Sequence, residues 1–394
     1  MNDQLAAARC LPDDLARAAL VGRVWLPQVE GPAVVAVRPE GVFDLSRLAA
    51  TTSALLDGDH LVAAVRAAKD APRLASTEET LANSAWNARD PARPWFLAPG
   101  DLQAIKASGV TFVSSMLERV IEEQARGDAA KAESIRKAIV GVIGENLASV
   151  RPGSPDAARL KDVLIAQGAW SQYLEVGIGP DAEIFTKSQP MSAVGIGAEI
   201  GIHPKSEWNN PEPEIVLAVN SRGEAVGATL GNDVNLRDFE GRSALLLGKS
   251  KDNNASCAIG PFIRLFDDNF TLDDVRRCEL AMRVDGPDGF TLDGASSMGM
   301  ISRDPLDLVG QAIGANHQYP DGFMLFLGTM FAPTKDRLGP GKGFTHVLGD
   351  IVTIATPRLG ALVNRVNRSD RIAPWTFGAR ALAENLARRG LLSS

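Results

Sequence analysis

Residues 208–261 read WNNPEPEIVLAVNSRGEAVGATLGNDVNLRDFEGRSALLLGKSKDNNASCAIGP, and their alternation sets the fold. Glu212 and Glu214 stand two apart, so on a strand both point to one face. Val216 and Ala218 continue that face, while Ile215, Leu217 and Val219 line the other. Ser221-Arg222-Gly223-Glu224 predicts a tight turn, with Gly223 free to take a positive φ. A second strand, from about Ala225 to Val234, returns. With Arg222 and Gly223 at the tip of a two-residue hairpin, paired residue numbers add to 445. That register sets Asp233 opposite Glu212, with Glu214 as the diagonal neighbour on the same face. Three like charges so close repel unless a cation sits between them. Ligation by carboxylates alone suits Mg²⁺, Mn²⁺ or Ca²⁺ rather than zinc, which favours His and Cys. The competing reading is a solvated acidic strand end followed by an Asn/Asp-rich loop.

The rest of the chain bounds the function. Its 394 residues allow one large domain or two. A net charge of −7 without a dense Lys/Arg run argues against nucleic acid as the main partner. Cys10, Cys257 and Cys278 form no zinc motif and no disulfide framework, which fits a reducing cytoplasm. The opening MNDQLAAARCLPDDLARAAL is polar and early acidic, unlike a secretory signal. The longest apolar run, within Gly322–Pro333, is too short to span a bilayer. His60, His203, His317 and His346 are scattered, so a histidine metal site is not expected.

Two sections emerge, 1–95 as a small N-terminal domain without a chemical constellation and 96–394 as the part that carries the paired carboxylates. In the first, Asp13–Leu20 is helix-like, Gly22–Trp25 and Ala33–Arg38 read as strands, and Leu45–Val65 is mostly helical with a break at Asp57–Asp59. Thr77–Pro99 lacks periodicity and reads as a linker. In the second, Met116 to about Leu147 and Asp156–Ala169 are helical, whereas Tyr173–Val176, Glu183–Lys187 and Val194–Ile202 read as short strands. Asp293–Met300 reads as a loop, Phe323–Phe331 as an apolar strand, and Phe377–Arg389 as a closing helix. The order contains no βαβ alternation, which argues against a Rossmann sheet and against weight on Gly195-x-Gly197.

Glu212-x-Glu214, the run Asp233-Val234-Asn235-Leu236-Arg237-Asp238, and Lys251 followed by Gly260-Pro261 resemble the metal-site pattern of the fumarylacetoacetate hydrolase superfamily. WNNPEPE, GNDVNLRDFEGRSALLL, KDNNASCAIGPF, WSQYLEV, GPDAEIFTK, HQYPDGF and FLGTMFAP are similar to its 2-keto-3-deoxy-D-xylonate dehydratase branch, over about Asp101 to Trp375. The resemblance implies an α+β fold, a mixed, mainly β roll with helical insertions and a smaller N-terminal domain. It implies Mg²⁺, with Mn²⁺ as the alternative, on Glu212, Glu214 and Asp233. It implies a small-molecule 2-keto acid substrate, no nucleic-acid or membrane partner, and a homodimer or homotetramer.

The superfamily's hydrolases carry Gly-x-Asn-Tyr-x-x-His-x-x-Glu where this chain has Gly109-Val110-Thr111-Phe112-Val113-Ser114-Ser115-Met116-Leu117-Glu118. Ser115 thus stands at the place of the water-activating histidine, while Glu118 keeps the glutamate. A serine hydroxyl is no base near neutral pH without its own activator, so dehydration is favoured over hydrolysis. The resemblance gives Glu118 the role of base at C3. Lys251, preferred to Lys249 by spacing, stabilises negative charge. Arg237 and Ser296 hold the carboxylate end, with Ser114 and Thr329 as further substrate contacts. The implied reaction converts a 2-keto-3-deoxypentonate to 2,5-dioxopentanoate. An acylpyruvate or fumarylpyruvate hydrolase is the rival on the same scaffold, and a metal-stabilised binding protein the rival of another class.

Overall fold

The computed structural model describes residues 2–126, 128, 131, 132, 135, 150–166, 168, 170–331 and 333–392. Its centre is the hairpin foreseen above, strands β10 (Pro213–Val219) and β11 (Ala225–Asp233). Pro213 pairs with Asn232, Glu214 with Gly231 and Ala218 with Gly227, all in the 445 register, and the Asp233 N–H donates to the Glu212 carbonyl at 3.1 Å. The turn itself differs. Asn220 and Glu224 close a three-residue loop around Gly223 at φ +81°, and a bulge near Ala218/Val219 absorbs the extra residue. The bulge restores the register that a two-residue turn would have set.

Around this hairpin an 11-stranded mixed sheet forms. The N-terminal residues supply β1 (Leu20–Leu26), β2 (Gly31–Arg38), β3 (Gly41–Asp44), β4 (Arg73–Ala75) and β5 (Trp95–Leu97). Later residues add β6 (Ala104–Gly109), β7 (Glu183–Ser188), β13 (Cys257–Leu265) and β16 (Phe323–Phe326). The order is β4-β3-β2-β1-β13-β11-β10-β16-β6-β7, with β5 on β1. Residues 1–95 therefore extend the same sheet that carries the hairpin, joined through the β1–β13 pairing. A five-stranded sheet packs against it: β8 (Glu199–Ile202), β14 (Glu279–Asp285), β15 (Thr291–Ser297), β17 (Ile351–Thr356) and β18 (Gly360–Arg368). Two residues each from β9 (Asn209–Asn210) and β12 (Asn235–Leu236) make a small third ladder.

Both faces of the hairpin are buried, which is why residues 215–219 read as a continuous apolar run. Ile215, Leu217 and Val219 join Met282, Val284, Ile354 and Leu362 between the two sheets. Val216 and Ala218 join Val21, Leu55, Ile105 and Phe326 on the other face. A third cluster holds the helices Val113–Ala125, Pro155–Ala166 and Gln172–Ile178 over the end of the sheet, through Met116, Val120, Leu164, Leu174 and Trp208.

Beyond the shorter strands at Phe323–Phe326 and Glu199–Ile202, four expected elements differ. Asp13–Leu20 is a run of turns, because the Asp14 carboxylate is drawn to Arg264 (Nη2–Oδ2 2.7 Å) and Leu20 already pairs with Val37 as the start of β1. Tyr173–Val176 lies in the helix Gln172–Ile178. Ser171 Oγ accepts the Tyr173 N–H at 3.2 Å, and Leu174 and Ile178 bury one stripe of that helix. Within Thr77–Pro99 a capping box of Ser76 and Glu79 starts the helix Thr77–Asn83, and β5 pairs with β1. Asp293–Ser297 belongs to β15, paired through Leu280–Ser296. Most of the helix expected to continue to Leu147 lies outside the described residues. Among the described residues no helix is long and apolar enough to cross a membrane.

A candidate metal centre and its cavity

The end of the hairpin brings Glu212, Glu214 and Asp233 together as the alternation requires. All three are buried, and one carboxylate oxygen from each lies within 4.8 Å of the others. Buried carboxylates at this separation repel. Burial above all, and then the Asp233 and Glu212 charges, hold Glu214 well above the usual carboxylate range. Burial also raises Glu212. For Asp233 burial works in the same direction, but the Lys187 and Lys251 ammonium groups outweigh it and hold the acid below its ordinary value. Glu214 Oε2 is fixed by the Gly328 N–H at 2.6 Å, and Glu212 Oε1 by Asn235 Nδ2 at 3.0 Å. Three hard oxygen donors, clustered within 4.8 Å and mutually repelling, fit a divalent cation such as Mg²⁺.

Lys251 is 2% exposed and faces the carboxylate cluster. Its Nζ lies 3.2 Å from Glu212 Oε2, 3.1 Å from Asp233 Oδ1 and 3.1 Å from Glu240 Oε1. Those charges hold it well above the ordinary lysine value against the effect of burial, so it is a fixed cation. Lys249, the other candidate, is exposed and lines a different cleft.

Four residues that sequence reasoning passed over complete the site. Arg119 bonds Glu212 Oε1 at 3.0 Å and Glu122 Oε2 at 2.9 Å, and also pairs with Glu240. Lys187, fully buried, pairs with Asp233 Oδ1 at 3.0 Å. Glu183 is half-buried in the cavity wall, and desolvation raises its pKa despite Arg119 nearby. Glu240 anchors both Arg119 and Lys251. A period-two reading of Glu183-Ile184-Phe185-Thr186-Lys187 puts two of them on one strand face. Glu183 and Phe185 line the cavity, and Lys187, next on that face, reaches Asp233. At Gly109, opposite Glu183 in the β6–β7 ladder, a Cβ would lie 1.9 Å from Glu183 Oε2 and would push that carboxylate aside.

The cavity above the triad is walled by Ser115, Arg119, Tyr173, Glu183, Lys251 and Thr329, among others. Ser115 Oγ donates to the Phe112 carbonyl at 2.9 Å, and Thr329 Oγ1 accepts the Phe331 N–H at 3.1 Å. The remaining expected residues stand elsewhere. Ser115 and Arg119 form the inward stripe of the helix Val113–Ala125, four residues apart, whereas Glu118 and Glu122 form the adjacent stripe and face Arg237. Glu118 Oε2 is 2.7 Å from Arg237 Nη2 and Glu122 Oε1 2.6 Å from Arg237 Nε. The Arg237 guanidinium also stacks on Trp208 at 4.3 Å and is buried. Neither Glu118 nor Arg237 lines the cavity. Ser114 donates to the Met330 carbonyl at 3.0 Å, and Ser296 Oγ accepts the Met330 N–H at 3.3 Å, both also off the cavity wall.

No family model matches the chain. Two curated relatives do. It is 30% identical over 193 residues to the 2-dehydro-3-deoxy-D-arabinonate dehydratase of Saccharolobus solfataricus, covering 48% of this chain and 60% of that one. It is 31% identical over 194 residues to a probable 2-keto-3-deoxyxylonate dehydratase of Haloferax volcanii, covering 49% and 63%. The match thus spans about three-fifths of the length of these relatives. Among solved structures, the fold matches a 2-keto-3-deoxy-D-arabinonate dehydratase in its apo form, with TM-score 0.59, 21% identity and coverage of 89% and 99%. It matches the same enzyme complexed with magnesium and 2,5-dioxopentanoate at TM-score 0.58, with the same identity and coverage. Over about half its length this chain is thus similar to 2-keto-3-deoxypentonate dehydratases, and its fold is like that of a solved 2-keto-3-deoxy-D-arabinonate dehydratase.

Proposed function

We propose that the protein is a Mg²⁺-dependent dehydratase that converts a 2-keto-3-deoxypentonate, by preference 2-keto-3-deoxy-D-xylonate, to 2,5-dioxopentanoate. One observation carries the reading: a buried three-carboxylate centre opens on a cavity that also holds a half-buried glutamate of raised pKa and a fixed lysine cation. The names of the relatives, and the magnesium and 2,5-dioxopentanoate in the complex of one of them, agree with it.

Glu212, Glu214 and Asp233 would hold the metal. When bound, a divalent cation withdraws electron density from a 2-keto carboxylate and acidifies the hydrogens at C3. Glu183 is our base for the C3 proton, ahead of Glu118. Its carboxylate lies in the cavity wall, and its desolvated setting raises its affinity for a proton above that of an ordinary glutamate. Lys251 and Arg119 keep positive charge beside the developing enolate. Loss of the C4 hydroxyl as water leaves a C3–C4 double bond. Moving a proton from C5 to C3 gives the enol of the C5 aldehyde, and protonation at C4 completes 2,5-dioxopentanoate. Thr329 and Ser115 offer hydroxyls along the wall for the substrate's oxygens.

Among the described residues no histidine lines the cavity, so a water-activating imidazole is absent from its wall, which disfavours the acylpyruvate hydrolase. We place the enzyme in the cytoplasm, as a homodimer or homotetramer. The test incubates purified protein with 2-keto-3-deoxy-D-xylonate and Mg²⁺, with and without EDTA, and reads product through a semialdehyde dehydrogenase, with acylpyruvate in parallel. EDTA-sensitive product supports the proposal; pyruvate from acylpyruvate without dehydration replaces it with the hydrolase.

A further inference from the structure

The short helices Arg237–Glu240 and Leu247–Lys251 give Glu240, Leu247 and Lys251 to the metal cavity. Other residues of the same segment open on a second cleft of about 410 Å³, lined by His203, Lys205, Asp238, Phe239, Arg242 and Lys249. Its charge runs against that of the molecule. The chain carries a net −7, yet here three cations meet one carboxylate. That carboxylate is already engaged: Asp238 Oδ1 accepts from Ser206 Oγ at 2.8 Å and Oδ2 from the Glu207 N–H at 2.8 Å. Among the described residues no ion pair ties down Lys205, Arg242 or Lys249, so the cleft is left with an excess of about two positive charges.

The floor is ordered. The Arg242 guanidinium lies over the Phe239 ring at 4.6 Å, with its Nε donating to the Asp238 carbonyl at 3.1 Å. The His203 ring packs on Phe239 at 4.9 Å. His203 Nδ1 accepts the Lys205 N–H at 3.1 Å, which puts the ring proton on Nε2 and makes that atom a donor.

We propose that this cleft binds a small dianion, a phosphate group or a dicarboxylate, between Lys205, Arg242, Lys249 and the His203 Nε2–H. The two excess charges match a dianion, and the planar guanidinium matches the geometry shared by phosphate and carboxylate oxygens. Burial, and then the Lys249 and Lys205 charges, lower the His203 pKa, so a bound anion has the sign to reverse part of that shift.

The experiment follows the four histidines by NMR in ¹³C-histidine-labelled full-length protein, with His203 assigned through His203→Gln. Sodium phosphate and sodium malonate are each titrated against sodium chloride at matched ionic strength. The proposal expects one or both dianions to shift the His203 resonance saturably and to raise its pKa, while chloride does neither. Whichever saturates at lower concentration identifies the source. Lys205→Gln with Lys249→Gln, both on exposed side chains, should weaken binding by on the order of tenfold or more. Arg242→Gln is the independent variant. A response no larger than that of chloride, or one unchanged in both sets of variants, would overturn the site.

Discussion

Lys251→Met should destabilise the metal-free protein strongly, and Mg²⁺ should recover part of the loss. The ammonium lies 3.1–3.2 Å from three carboxylates and is 2% exposed. At an effective dielectric near 20, each such contact is worth about 5 kcal/mol of Coulomb energy before desolvation is subtracted. Removing one partner of a buried pair costs about 3–5 kcal/mol, because the charges left behind are uncompensated. Arg119 and Lys187 remain, so the lower part of that range applies. Methionine fills a similar volume, which keeps a cavity from contributing. The assay is urea unfolding, followed by the fluorescence of the six tryptophans, in EDTA and in saturating Mg²⁺. The variant should lose about 3 kcal/mol in EDTA, and Mg²⁺ should narrow the gap, since the cation replaces positive charge at the same carboxylates. A variant within about 1 kcal/mol of the parent in EDTA, or a gap that Mg²⁺ leaves unchanged, would refute the charge balance described here.

Four further outcomes follow from the structure. Glu183→Gln should lower kcat by about 10²–10⁴-fold with Mg²⁺ affinity by calorimetry unchanged, and near-parental turnover would remove it as the base. Because burial raises the Glu183 pKa and the base must be ionised, activity should fall on acidification at a pH above the ordinary glutamate value. Glu118→Gln should keep turnover within about tenfold and cost roughly 1–2 kcal/mol of stability through its Arg237 pair, so a loss of turnover like that of Glu183→Gln would return the base role to Glu118. Asp14 is held below its ordinary pKa chiefly by its hydrogen bonds from Arg264, so its contribution is present above the unfolded value and lost as pH falls through the folded one. Asp14→Asn should therefore flatten the decline in stability below about pH 5, and an unchanged acid limb of the thermal midpoint would contradict this.

The hairpin and its three carboxylates were legible because alternation has a period of two and a register is arithmetic. Even the misjudged turn left Asp233 beside Glu212, since the bulge near Ala218/Val219 cancelled the added loop residue. The helix over the site was harder. A motif fixed Glu118 in line, but one residue turns a helix by about 100°, and the inward stripe is Ser115 and Arg119. Arg237 looked available as a substrate anchor because its partners, Glu118 and Glu122, are more than a hundred residues away. Glu183 and Lys187 carried a readable signal, alternation toward Asp233, that pointed nowhere until the β6–β7 pairing placed the strand. Tyr173 read as a strand residue, yet the Ser171 cap and the buried Leu174–Ile178 stripe made it helical and put its ring in the cavity wall.

The most direct measurement follows the carbon skeleton by ¹H and ¹³C NMR while metal-stripped protein in ²H₂O receives 2-keto-3-deoxy-D-xylonate and then Mg²⁺. No change is expected before the metal is added. Afterwards 2,5-dioxopentanoate should appear with solvent deuterium at C4, and Glu183→Gln should fail to produce it. Turnover without a divalent cation, or pyruvate in place of the five-carbon dioxo acid, would rule out metal-dependent dehydration at this centre.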